Sequence, residues 1–291
     1  AGEENSDALR DDVLRMVQMA NGTWKDSRAG RLRVLDAAVR DVLRQTRECG
    51  SSLRVLDLGV ASGITSVELE AALRSDFAPE IIATDLWRDA FAVRSRRGWC
   101  IVLDERGNVL QHIAGPFVLP GQSRDAAPYV LNHLLRVWSE RRWVPQARRL
   151  LAAADLTAAP DFVVQRLDGH ELIRLPLLSA ACLRRCAENG TFRFVVVDVL
   201  QPLPFDADVV RAVNLLTPHH LGPAELRRAL ENCRAALRVN GLLVVGRSPN
   251  DTPEAIAATI FHAAPEGWRI ARRLNGGAEI EPLAVELFGA R

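Results

Sequence analysis

Three carboxylates in this chain each close a short apolar run, and each is of a type that could receive part of a nucleoside. Asp57 opens Asp57-Leu58-Gly59-Val60-Ala61-Ser62-Gly63, where glycine lets the backbone turn sharply and pass close to a bound group. Asp85 ends the run that starts at Glu80, and a carboxylate at a strand end can accept both hydroxyls of a ribose. Asp198 follows Val195-Val196-Val197 and precedes Pro202-Leu203-Pro204-Phe205. There it could accept the hydrogens of an exocyclic amine, with the next backbone N–H reaching a ring nitrogen, or it could simply cap the turn before Pro202. Asn214 and the pair His219-His220 follow another apolar run. An imidazole can take a proton from an alcohol or phenol near neutral pH, and the alternative is a solvated loop. His170, after Asp168-Gly169, is a lesser candidate for the same work. His112 and His133, and His262 on an expected late helix, are read as structural.

These residues need elements to hold them. Residues 7–20 and 30–48 read as helices, the second with Leu32, Leu35, Val39, Val42 and Leu43 at three- and four-residue steps. Residues 53–59 form a buried strand, 65–74 a helix, and 80–87 a second strand. Strand, glycine turn, helix and strand make the βαβ unit of a parallel sheet. The rhythm then breaks. Trp99–Asp104 and Val109–Ile113 flank a turn and read as a hairpin, 129–154 looks helical despite Pro145, and 161–167 reads as one more strand. Regular order returns with a helix over 175–189 and strands at 192–200 and 208–215. A helix over 223–237 and a strand over 242–246 follow. Finally, 268–274 and 282–288 around Asn275-Gly276-Gly277 predict an antiparallel hairpin. The expected fold is α/β, a Rossmann-like, mostly parallel seven-stranded sheet with an antiparallel C-terminal hairpin, helices on both faces and an inserted α+β cap.

The run from Asp57 to Gly63 resembles the first motif of class I S-adenosylmethionine-dependent methyltransferases, an acidic residue followed by GxxxG. The resemblance covers residues 50–87 and 171–291. It implies S-adenosyl-L-methionine as cofactor, with its methionine part over Gly59, Ala61 and Gly63. Asp57 would organise the turn or the amino group. Asp85, followed by Leu86, would hold the ribose, and Asp198 with Val199 the adenine, because Leu203-Pro204-Phe205 is similar to the adenine-binding segment of that family. A nicotinamide site would instead want GxGxxG, which this turn lacks. The part from Arg211 to Ser248 is similar to chemotaxis-receptor methyltransferases. It departs from them in that Arg211 and Asn214 are not adjacent and the usual aromatic residue is missing. Asn214, His219 and His220 would then face the methyl acceptor, a small molecule or glycan methylated on oxygen. A protein carboxylate or lipid-linked acceptor, and a cofactor-binding scaffold or partner subunit without catalysis, are the alternatives.

Composition narrows the partners. The chain has 291 residues, 48% hydrophobic and 25% charged, with a formal net charge of +1, which argues against nucleic acid as partner. No apolar stretch reaches the roughly 18 residues of a membrane span, and the acidic N-terminus lacks a signal-peptide layout, so a cytoplasmic location is expected. Five cysteines form no CxxC pair. Cys182 and Cys186 alone make no metal site, and they read as thiols of a reducing compartment. The expected domains are N-terminal helices over 1–49, a core over 50–87 and 171–291, and a cap over 88–170. In the cap, 129–149 combines Tyr129, Trp138 and Trp143 with Arg136, Arg141, Arg142, Arg148 and Arg149. Such a helix suits a lid or a homodimer contact, or a peripheral contact with an anionic membrane surface. Trp24 to Arg28 would fold over the cofactor or form a plain interhelical turn.

Overall fold

The computed structural model describes residues 27–115, 117–121, 130–154, 164–188, 190–248, 252 and 255–290, together with 14, 17, 19 and 25. The helix expected over 7–20 lies almost wholly outside these residues, as do Trp24 and Tyr129. The chain divides into two compact units, one of Ser27–Leu86 with Ser179–Arg291, the other of Ala1–Asp26 with Trp87–Leu178.

The first unit begins with α1 (Arg33–Thr46), which buries Leu35, Ala38, Val39, Val42 and Leu43, as the spacing of its apolar residues requires. β1 (Ser52–Leu58), α2 (Ile64–Leu73) and β2 (Ala78–Asp85) are the expected βαβ unit, with Leu56 of β1 opposite Ile82 of β2 in a parallel pair.

The second unit holds β3 (Asp89–Arg94), β4 (Trp99–Asp104), β5 (Val109–Ala114), β6 (Phe117–Pro120), α3 (Val130–Ala153), β7 (Val164–Leu167) and β8 (His170–Pro176). The expected hairpin is β4–β5, and Asp104 closes its turn by accepting the N–H groups of Arg106 and Asn108 at 2.9 and 2.8 Å. The hairpin is only part of the sheet, which has six antiparallel strands in the order β6-β5-β4-β3-β8-β7. β3 pairs with β8, Asp89 opposite Pro176, and so distant a pairing leaves no local signal in the chain. The helix α3 keeps Pro145 inside it and packs Val144, Ala147 and Leu150 on Val93, Ile101, Leu103 and Leu172. The buried pair His112 and Ser139, 2.8 Å apart, ties β5 to the same helix. The rings of Trp99, Trp138, Trp143 and His170 follow one another at 4.9, 6.5 and 5.7 Å, and Leu134 and Trp138 are exposed. No helix among the described residues is long and apolar enough to cross a membrane.

The helix expected over 175–189 is shorter than its apolar run. Leu175 and Pro176 finish β8, and α4 (Ala180–Glu188) starts only after Ser179, whose hydroxyl accepts the N–H of Cys182 at 3.2 Å. Back in the first unit follow β9 (Phe192–Val196), β10 (Ala207–Val213), α5 (Pro223–Ala236), β11 (Leu237–Arg247), β12 (Ala257–Ala264), β13 (Gly267–Leu274) and α6 (Glu281–Phe288). The seven-stranded sheet has the order β13-β12-β11-β10-β1-β2-β9. Its five strands from β11 to β9 are parallel, and β12 and β13 run as an antiparallel hairpin. Leu56, Val210 and Leu243 pack with α5 and α6 on one face. The alternate residues Asp57 and Arg211 face α1 on the other, through Asp36.

The C-terminal hairpin exists, but its strands are not the expected ones. It pairs 257–264 with 267–274, and residues 282–288 are helical. β12 is buried along almost its whole length, so it shows no polar alternation, and its alanines read as helix. His262 therefore sits on a strand, where its Nδ1 accepts from Arg269 Nε at 3.1 Å. In α6, Ala284 and Phe288 recur at a four-residue step and enter the core together.

Candidate functional site

In an open α/β sheet, ligands bind beyond the carboxyl ends of the strands, where the strand order reverses. That reversal falls between β1 and β10, since β2 and β9 lie to one side of β1 and β10 and β11 to the other. The glycine turn follows β1 at this place. Gly59 and Gly63 have φ of +67° and +75°, and Ala61 between them has φ of +55°, a conformation that costs an L-residue about 1–2 kcal/mol. Asp85 offsets that cost by accepting the Ala61 N–H at 2.9 Å. A Cβ on Gly59 would lie 3.1 Å from the Leu215 side chain, and one on Gly63 would lie 2.5 Å from Cys182 Sγ. The turn is therefore held by a carboxylate from β2 and packed tightly by residues following β10 and on α4.

Asp85 and Asp198 come to neighbouring strand ends. The Val197 N–H donates to the Asp85 carbonyl at 3.0 Å, and both aspartates are half-buried. Asp198 also caps its own turn, its Oδ1 accepting the Leu200 N–H at 3.0 Å. Leu86 is half-buried after Asp85, and Val199 belongs to the core beside α5.

Asp57 is elsewhere. It lies opposite Ala83 on one side and Arg211 on the other, one pleat short of the strand ends, and it is 3% exposed. Its Oδ1 accepts from Arg211 Nε at 2.9 Å, and its Oδ2 from Arg211 Nη2 at 2.5 Å and Ser66 Oγ at 2.6 Å. The same guanidinium donates through Nη1 to Asp36 Oδ1 at 2.6 Å and through Nη2 to the Thr65 carbonyl at 3.1 Å. Of the three acidic strand ends, two are half-buried and serve turns beyond the strands, and the third is committed to a buried ion cluster. Arg211 and Asp36 are what the sequence reading missed. An arginine in the middle of the apolar run 207–213 was the available signal, because a buried charge requires a partner.

Burial pushes the Asp36 carboxyl up to about 7, against the attraction of Arg211, with Asp57 and Glu68 adding to the rise. The folded state thus holds this proton more tightly than the unfolded chain. The stability it contributes is complete below the ordinary carboxylate range, about pH 3.9, and is lost as pH rises to about 7. Asp36→Asn removes that titration. The stability of the native protein relative to the variant is expected to fall by on the order of 2–4 kcal/mol between pH 4 and 7, as read by urea titrations across that range. A constant difference would show that Asp36 does not carry the proton.

Asn214, with φ of +60°, joins two strand ends: its N–H donates to the Gly246 carbonyl at 2.9 Å, and its Oδ1 accepts the Ser248 N–H at 2.7 Å. His219 and His220 are exposed on the turn after β10, with ring centroids 5.0 Å apart. Loss of some hydration beside its neighbours, then His219 and Arg247, push the imidazole of the exposed His220 below its usual range, which leaves it neutral and able to accept a proton at neutral pH. His170 starts β8 of the antiparallel sheet, its ring edge-on to Trp143, and so it does not belong to the parallel sheet. A cavity of about 370 Å³ lies within the antiparallel unit, among Phe91, the 104–107 turn, Arg148 and Leu151.

No family model matches the chain, and no curated protein matches it. Among solved structures, the chain is similar to the N-methyltransferase NodS from Bradyrhizobium japonicum WM9 in complex with S-adenosyl-L-homocysteine. The identity is 11%, with 82% of this chain and 72% of that one covered and a TM-score of 0.34. It is also similar to CalS10, an amino pentose methyltransferase from Micromonospora echinaspora, at 14% identity over 91% and 70% with a TM-score of 0.30. A third is the [4+2]-cyclase SpnF, at 15% identity and a TM-score of 0.33, of which this chain covers 48% against 76% of itself. Likeness at these values does not reach the chemistry of the site. The strand order and register of this chain itself establish a Rossmann-like, mostly parallel sheet.

Proposed function

We propose that this chain is an S-adenosylmethionine-dependent methyltransferase of the class I kind, acting on an oxygen atom of a small molecule or glycan. The observation that carries the reading is Asp85, which ends β2 next to β1 and is bonded through the Ala61 N–H to the glycine turn that follows β1 beside the reversal of strand order. A carboxylate so placed can accept ribose hydroxyls, and Asp198 keeps its Oδ2 for an amine while Oδ1 serves the turn. Asp57 does not fit a direct contact with the cofactor, since both of its oxygens are spent on Arg211 and Ser66. When bound, the cofactor supplies a sulfonium methyl group, and the reaction then needs mainly an aligned nucleophile. His220, neutral at physiological pH, is suited to take the proton of a hydroxyl acceptor. Asn214 shapes the acceptor side of the rim through Ser248 rather than by touching the reacting atoms.

Isothermal calorimetry with S-adenosylhomocysteine tests the reading, and absence of binding at millimolar ligand removes it. Asp85→Ala is expected to weaken that binding by about 1.5–3 kcal/mol, the worth of a hydrogen bond to a charged group, and to lower the melting temperature as well, because the Ala61 N–H loses its acceptor. Replacing both His219 and His220 by alanine should lower transfer of labelled methyl groups into a cell extract by about 100-fold or more without altering cofactor affinity. Full transfer by the double variant would move the base elsewhere. A cofactor-binding scaffold without catalysis is the second reading, favoured by the exposure of both histidines. It predicts binding without transfer in the native protein.

A further inference from the structure

We propose that Arg211 is a positioning residue of the cofactor site, its guanidinium holding both ends of the Gly59–Gly63 turn in the shape that receives the ligand. The inference rests on the cofactor reading of that turn. On the near side of the turn, Arg211 takes both carboxylate oxygens of Asp57, two residues before Gly59. On the far side, it donates to the Thr65 carbonyl, two residues after Gly63, and Ser66 returns to Asp57 through its hydroxyl. Asp36 of α1 takes the remaining Nη1 at 2.6 Å, which fixes the guanidinium plane from behind. One side chain that is 1% exposed therefore joins β10, β1, α1 and the first turn of α2.

Stability alone does not account for this arrangement. Well-packed apolar residues in place of a buried ion cluster are often as stable or more so. An apolar cluster, however, imposes no direction on the backbone, whereas the planar fork of arginine fixes a carboxylate and a carbonyl at set angles. Lysine, a point charge on a flexible stem, cannot reproduce that geometry.

The test compares full-length native protein, Arg211→Lys and Asp208→Asn by calorimetry with S-adenosylhomocysteine and by thermal melting. Asp208 is the control: a buried carboxylate at the opposite end of the same strand, accepting the Arg54 N–H at 2.8 Å and paired with Arg47 at 3.0 Å. Arg211→Lys, measured below its melting temperature, is expected to weaken binding about tenfold or more, because the fork is lost. Asp208→Asn should stay within about twofold of native, as distant sites act independently. Unchanged affinity in Arg211→Lys, or equal losses in both variants, overturns the proposal while leaving the cofactor reading intact. A native protein that binds no S-adenosylhomocysteine removes the cofactor reading and the proposal with it. Should Arg211→Lys not fold, Asp36→Ala carries the test, with binding weakened about threefold or more through the unsupported Nη1. Affinity equal to native in that variant overturns the proposal.

Discussion

Arg211→Ala is expected to cost about 3–5 kcal/mol of folding stability, the penalty for removing one partner of a buried ion pair. The cause is uncompensated charge in the interior more than the missing hydrogen bonds themselves. Asp57 and Asp36 are 3% and 2% exposed, and without the guanidinium Asp57 retains the Ser66 hydroxyl as its side-chain donor. The carboxylates would have to take up protons or draw in water, and the first turn of α2 would lose its bond to β10. Replacing all three charges by apolar residues of similar volume should recover most of the stability, since it removes the desolvation cost together with the pairing. Urea denaturation of the single and triple variants measures both effects. A single-variant cost under about 1 kcal/mol would show that the cluster is hydrated and behaves as a surface pair.

Gly63→Ala should cost about 2–5 kcal/mol, from two separable sources. The first is backbone: φ of +75° disfavours a residue with a Cβ by about 1–2 kcal/mol. The second is packing, because the new methyl would meet Cys182 Sγ at 2.5 Å and Cys182 Cβ at 3.1 Å, an overpacking worth about 1–3 kcal/mol. Cys182→Ala in the same chain opens the space taken by the sulfur and should return only the packing part. The two substitutions are thus expected to be non-additive in a double-variant cycle followed by thermal melting. Full additivity would mean that α4 moves aside freely and that the backbone conformation alone explains the glycine.

Much of the architecture is legible without coordinates. The apolar stripe of α1, the turn between the runs 99–104 and 109–113 and the run at 53–59 each depend on residues a few positions apart, and each element forms where those residues place it. The same locality explains the failures. β12 is buried on both faces and rich in alanine, so nothing in its own residues separates strand from helix, and 282–288 reads as the hairpin partner of 268–274 in its place. The helix over 175–189 overran for a similar reason, since residues to Pro176 are taken by β3 in a pairing that no short window contains.

At the site, residue types were readable but their partners were not. Amino-acid identity by itself determined that a glycine turn follows the first strand, that carboxylates end the strands beside it and that histidines follow the fourth parallel strand. Only the tertiary structure decided that Asp85 holds the turn, that Asn214 Oδ1 accepts the Ser248 N–H, and that Asp57 turns inward to Arg211, 154 positions away. Turns and periodicities are energies of neighbouring residues along a chain. The partner of a buried charge depends on strand register and on which face each pleat presents, and both are set by the assembled sheet.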